Sequence, residues 1–141
     1  MQLLRIMKYQ NNLKANIAYG GQWSQNTKII DNTVTESVAE GIFVVEGHEN
    51  TVIIGNKVEK NKDGIVLYNS QGSCKENIIK LNQRSGILIG GETEADISSN
   101  TLSGNICSQI MIKDPAQTKI KKKDKKKLKE LMDCNIIEEQ K

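Results

Sequence analysis

Few side chains in this sequence stand at spacings that do chemistry. There is one histidine, His48, so a histidine-rich metal site is excluded and a Ser-His-Asp triad would hang on a single residue. The cysteines Cys74, Cys107 and Cys134 match no metal-ligand spacing and leave an odd count. That pattern argues against a disulfide framework and for a reducing compartment. The carboxylates Glu92, Glu94 and Asp96 fall together in the stretch Gly90–Asp96, which reads as a solvated loop in preference to a calcium site. The residue types therefore predict no catalytic group, metal, cofactor or small-molecule substrate.

A basic block is the strongest charge feature. Lys121, Lys122, Lys123, Lys125, Lys126 and Lys127 surround a single Asp124, in a chain whose formal net charge is only +3. Such a block attracts acidic polymers. It holds no aromatic side chain to stack on bases, so nucleic acid is not the expected partner, and it lacks the large apolar face needed to enter a bilayer. An acidic protein surface is the partner it suits best.

The elements that position these residues come from a repeat. The 141 residues suffice for one domain, and the core must be aliphatic, because the chain has 19 Ile against one Phe and one Trp. Asn32-x-Val34, Asn56-x-Val58, Asn77-x-Ile79 and Asn100-x-Leu102 share one pattern. Five residues after each Asn stand Ser37, Asn61, Asn82 and Asn105. Further on come Gly41-Ile42, Gly64-Ile65, Gly86-Ile87 and the degenerate Gln109-Ile110. Three residues before each Asn are Ile29, Ile53, Cys74 and Ile97. A weaker copy precedes them in Leu4, Met7, Tyr9, Asn12, Asn16-Ile17 and Tyr19.

A period of this length with strand-like alternation specifies a solenoid whose coils stack equivalent strands in parallel. The fold expected is all-β: a right-handed parallel β-helix of about five short coils over residues 1–113, followed by a C-terminal basic α-helix or tail over 114–141. Asn columns then sit at buried bends, donating and accepting along the stack while tolerating a left-handed backbone. Glycine before each Ile suits a positive φ entering the strand. Cys74 reads as a small buried hydrophobe. Asp114-Pro115 reads as the cap and first position of the terminal helix.

The run Asn56-Lys-Val-Glu-Lys-Asn61-Lys-Asp-Gly64-Ile-Val-Leu resembles the repeat of the right-handed parallel β-helix superfamily, which includes pectate lyases. Its texture is most similar to NosD-like periplasmic proteins and to the β-helix domain of F-box proteins. The resemblance implies the fold and leaves function open, because this scaffold hosts lyases, hydrolases and recognition modules. A lyase or hydrolase would present carboxylates in an outward groove. The outward columns beside the Gly-Ile strand are instead Phe43, Val66, Leu88, Met111 and Val45, Tyr68, Gly90, Lys113. The one acidic near-ladder is Glu40 over Asp63, with Ser85 and Ser108 below.

The row Phe43, Val66, Leu88 and Met111, flanked by Val45 and Tyr68, is the candidate protein-binding face, unless the chain's own tail or turns cover it. Four rungs span roughly 14 Å, enough to matter if exposed. The first repeat begins within four residues of Met1, which leaves an open strand edge for a partner. These features predict a non-enzymatic structural or interaction protein docked within a larger intracellular assembly, cytoplasmic, cytoskeletal or ciliary. The alternatives are a carbohydrate-active lyase or hydrolase and the substrate-recognition part of a ubiquitin ligase. No F-box-like helical segment is present.

Overall fold

A computed structural model describes residues 3–5, 8–10, 17–20, 26–46, 50–120 and 130–132. The described strands are dealt in strict rotation into three sheets. The first sheet holds Leu3–Arg5, Lys28–Ile30, Thr51–Ile54, Gln71–Lys75, Glu94–Asp96 and Lys119–Ile120. The second holds Lys8–Gln10, Thr33–Thr35, Lys57–Glu59, Ile78–Lys80 and Thr101–Ser103. The third holds Ile17–Gly20, Glu40–Val45, Asp63–Tyr68, Ser85–Gly90 and Ser108–Ile112. Every described pairing is parallel, so each strand lies over its counterpart one coil earlier. This is the all-β parallel solenoid that the repeat specifies.

The register matches the sequence columns. Ile42 pairs with Ile65, Ile65 with Ile87, and Ile87 with Ile110. The weak first copy also stacks as expected, Leu4 on Ile29, Tyr9 on Val34 and Ile17 on Ile42. Inward residues form one aliphatic core that includes Ile29, Ile53, Cys74 and Ile97 with the Ile42 and Val44 columns. Burying like side chains on like keeps the interior uniform from coil to coil, so each coil completes the core of its neighbour.

Two asparagine ladders hold the bends. In one, Asn32 Nδ2 donates to Asn56 Oδ1 at 3.1 Å, Asn56 to Asn77 at 3.0 Å and Asn77 to Asn100 at 3.0 Å. In the other, Asn61 donates to Asn82 at 3.2 Å and Asn82 to Asn105 at 2.8 Å. The same Oδ1 atoms accept the backbone N–H of the preceding coil. Buried donors and acceptors at the corners are thus satisfied across coils, as buried polar groups must be.

The left-handed backbone, however, sits one residue earlier than expected. Asp31, Gly55, Glu76 and Ser99 precede the first ladder, and Glu36, Lys60, Leu81 and Gly104 precede the second; all eight have φ between 54° and 70°. The turn is made by the exposed residue, which frees the following Asn to point inward.

The recurring glycine column also has a different cause. Gly41, Gly64 and Gly86 are not among the positive-φ residues. A Cβ on Gly41 would lie 2.8 Å from the Gly64 carbonyl oxygen and 2.8 Å from Val58 Cγ1. One on Gly86 would lie 2.6 Å from the Gln109 carbonyl oxygen. The carbonyl of the next coil occupies the Cβ position, so space, not φ, demands glycine. Among the described strands of the third sheet none follows Ser108–Ile112, so the column is free to become Gln109. Its Oε1 accepts Asn105 Nδ2 at 2.7 Å and terminates the second ladder.

Residues 114–120 do not open the terminal helix as expected. Asp114 and Pro115 open a tight turn, in which Gln117 N–H donates to the Asp114 carbonyl at 3.0 Å. Proline's fixed φ suits the second position of such a turn as well as a helix start. Lys119–Ile120 then joins the first sheet beside Glu94–Asp96, so the solenoid runs beyond residue 113. A short helical turn is described at residues 130–132, where Leu131 and Met132 pack against the core.

Candidate functional site

The third sheet brings the expected row together. Phe43 pairs with Val66, Val66 with Leu88, and Leu88 with Met111, and none of the four belongs to the inward core cluster. The row is therefore outward and in register. Its two middle rungs are nevertheless closed to solvent: Val66 is 6% exposed and Leu88 4%. Phe43, Val45 and Met111 are partly exposed, and Tyr68 is 38% exposed. The continuous open stripe is thus reduced to a rim of Phe43, Val45, Tyr68 and Met111. Strand alternation decides which way a side chain points, whereas its exposure also depends on what lies over the sheet.

The acidic near-ladder is a brace. Glu40 pairs with Asp63 and Ser85 with Ser108. Asp63 is buried, and Arg84 from the next coil grips it with both arms, Nη2 to Oδ2 at 2.7 Å and Nε to Oδ1 at 3.2 Å. Ser85 N–H donates to the same carboxylate. A carboxylate held in a bidentate pair ties two coils together.

A polar groove lies on the first sheet, and the sequence reading missed it. Asn50, Gln71, Ser73, Glu94 and Asp96 line it, and it continues past Glu92, Gln117 and Lys119. Glu94–Asp96 is a strand and not part of a loop; Ala95 points into the core and the two carboxylates point out. The alternation in Glu94-Ala95-Asp96 was the available signal. Asp96 meets Lys75 Nζ at 2.7 Å and accepts bonds from the Ser98 N–H and hydroxyl. Lys75 and these donors hold its carboxyl down at about 2, the opposite of what a general acid at neutral pH requires.

The cysteines divide. Cys74 is fully buried, and burial pushes its thiol up to about 12 despite a 3.4 Å bond from Asn77 Nδ2. Cys107 is disulfide-bonded, although the odd cysteine count argued against a disulfide framework. Spacing along the chain carries no signal for a bond closed by the fold. Cys134, His48 and the lysines Lys121–Lys127 lie outside the described residues.

Residues 6–123 match the model of a protein family described as periplasmic copper-binding protein (NosD). The chain belongs to the NosD family. No curated protein and no solved structure matches it. The family description lends no support to a cytoskeletal or ciliary setting.

Copper sites are built from thiolate, thioether and imidazole groups. Among the described residues of this NosD-family chain no three His, Cys, Asp or Glu side chains gather to hold a metal. Cys74 is sealed in the core and Cys107 is consumed in a disulfide. Met111 Sδ has a serine hydroxyl, that of Ser85, at 3.9 Å. The described residues do not fit a copper centre. No described helix is long and apolar enough to cross a membrane.

Proposed function

We propose that this chain is a non-enzymatic structural and protein-binding module. It is a rigid β-helix that meets its partner through the rim of the third sheet, at Phe43, Val45, Tyr68 and Met111. The observation that carries the reading is the pair of interlocked asparagine ladders. They tie together the coils from Asn32 to Asn105, so the rim is pre-ordered and a partner need not order it on binding. Glu59, Asp63 and Asp96, the carboxylates with described ion pairs, serve as braces between coils, which favours binding over catalysis. The lysines Lys121–Lys127 add electrostatic attraction to an acidic protein surface.

The test is affinity purification under native conditions with the wild type and with Phe43→Asp/Tyr68→Asp. The variant keeps its far-ultraviolet spectrum and melting curve and loses the specific partners. An unchanged partner set would refute docking at this rim.

The polar groove favours a second reading, in which the first sheet binds a hydroxyl-rich polymer such as a polysaccharide. Release of products from uronic-acid polysaccharides, lost in Glu94→Gln, would establish that reading and overturn the non-enzymatic one.

A further inference from the structure

We propose that Gln109 is an end-stop: its side chain imitates the coil that would come next, and so keeps a second copy of this chain from stacking onto the Ser108–Ile112 edge. Inside the stack, the following coil meets each asparagine of the second ladder twice. Asn82 Nδ2 donates to Asn105 Oδ1 at 2.8 Å, and the Asn82 carbonyl accepts the Ile106 N–H at 3.0 Å. Asn61 is met in the same way by Asn82 Oδ1 at 3.2 Å and by the Gln83 N–H at 2.8 Å. At Asn105 a single side-chain amide fills both places. Gln109 Oε1 accepts Asn105 Nδ2 at 2.7 Å, where the asparagine of a further coil would accept. Gln109 Nε2 donates to the Asn105 carbonyl at 3.3 Å, where a backbone N–H of that coil would donate.

The first ladder also closes on its own coil. Asn77 Nδ2 passes a hydrogen on to Asn100 Oδ1. Asn100 Nδ2 instead turns to the Ile97 carbonyl at 2.8 Å, while keeping the Cys74 carbonyl of the preceding coil at 2.7 Å.

Gln109 blocks the space as well as the bonds. In the glycine column the carbonyl oxygen of the following coil stands 2.8 Å from the Cβ position of Gly41 and 2.6 Å from that of Gly86. Gln109 carries a Cβ, so a strand added beyond Ser108–Ile112 in the same register would meet carbon where its carbonyl must sit. That strand ends the third sheet among the described strands, and an edge of this kind otherwise templates pairing with another chain. The inference goes beyond the docking rim: the end is closed, which leaves the flank of the solenoid for a partner.

The test is sedimentation velocity on the full chain, over a range of concentrations, for the wild type, Gln109→Gly and Gln109→Ala. Gln109→Gly removes both the amide and the Cβ, and should self-associate with an apparent dissociation constant at least about tenfold below that of the wild type. Gln109→Ala removes the amide, keeps the Cβ and should sediment like the wild type. In Gln109→Ala the Asn105 Nδ2 protons should exchange at least about tenfold faster, with those of Asn77 unchanged. Gln109→Gly sedimenting like the wild type, Gln109→Ala associating as strongly as Gln109→Gly, or unchanged Asn105 exchange would each overturn the inference. Its failure leaves the docking rim untouched, because partner capture through Phe43 and Tyr68 is measured separately.

Discussion

Replacing Asn77 by alanine cuts the first ladder at its centre. Asn77 is fully buried, and its Oδ1 accepts from Asn56 N–H at 2.9 Å and from Asn56 Nδ2 at 3.0 Å. Its Nδ2 donates to the Ile53 carbonyl at 3.0 Å and to Asn100 Oδ1 at 3.0 Å. Asn56 Nδ2 keeps the carbonyls of Ile29 and Ile54, so the amide survives the loss. The Asn56 backbone N–H loses its acceptor inside the corner, where water cannot replace it without opening the coils. Each buried polar group left without a partner costs about 1–3 kcal/mol. One stranded N–H, with the side-chain bonds to Ile53 and Asn100 removed as well, gives about 2–4 kcal/mol. For a chain of this size that lowers the thermal midpoint by about 6–12 °C. The assay is thermal and urea unfolding beside Gln83→Ala, an exposed position expected to stay within about 0.5 kcal/mol of the wild type. If Asn77→Ala melts with Gln83→Ala, the ladders are not what holds the bends.

Further outcomes follow from the same geometry. Gly64→Ala sets a Cβ against the Gly86 carbonyl, 2.8 Å from Ile79 Cγ2 and 2.9 Å from Asn82 Nδ2, and should cost about 1–3 kcal/mol in urea unfolding. Asp96 has a folded value of about 2, below the ordinary 3.8, so its contribution is present above pH 4 and is lost as pH falls through 2. Asp96→Asn should flatten acid unfolding in that window, and an identical acid profile would contradict the Lys75 pairing. Cys74, with its thiol at about 12, should resist iodoacetamide at pH 8 in the folded protein and react once unfolded.

What could be read from the residues, and what could not, follows one division. Columns of like residues specify the coil because parallel stacking puts identical positions in contact, and Ile42, Ile65, Ile87 and Ile110 pair as their spacing demands. Properties that depend on a neighbouring coil escaped. The Gly41 column signals crowding by the next carbonyl, which resembles a φ requirement until the coil is built. The inward asparagine and the left-handed residue are adjacent, so either could have made the turn. At the candidate site, alternation gave the outward sense of Phe43, Val66, Leu88 and Met111, yet the burial of Val66 and Leu88 needed the whole surface. The Asp63–Arg84 brace is a contact between coils, with nothing in local sequence to announce it.

Side-chain amide exchange, followed by nuclear magnetic resonance, reaches the central claim most directly, since interlocked coils must shelter the asparagines between them. Asn56 and Asn77 Nδ2 protons should exchange at least about a hundredfold more slowly than those of Asn50, whose partner Asn26 is on the surface. Equal rates at all three would mean that the asparagines are not stacked in buried columns, and the solenoid as described would be wrong.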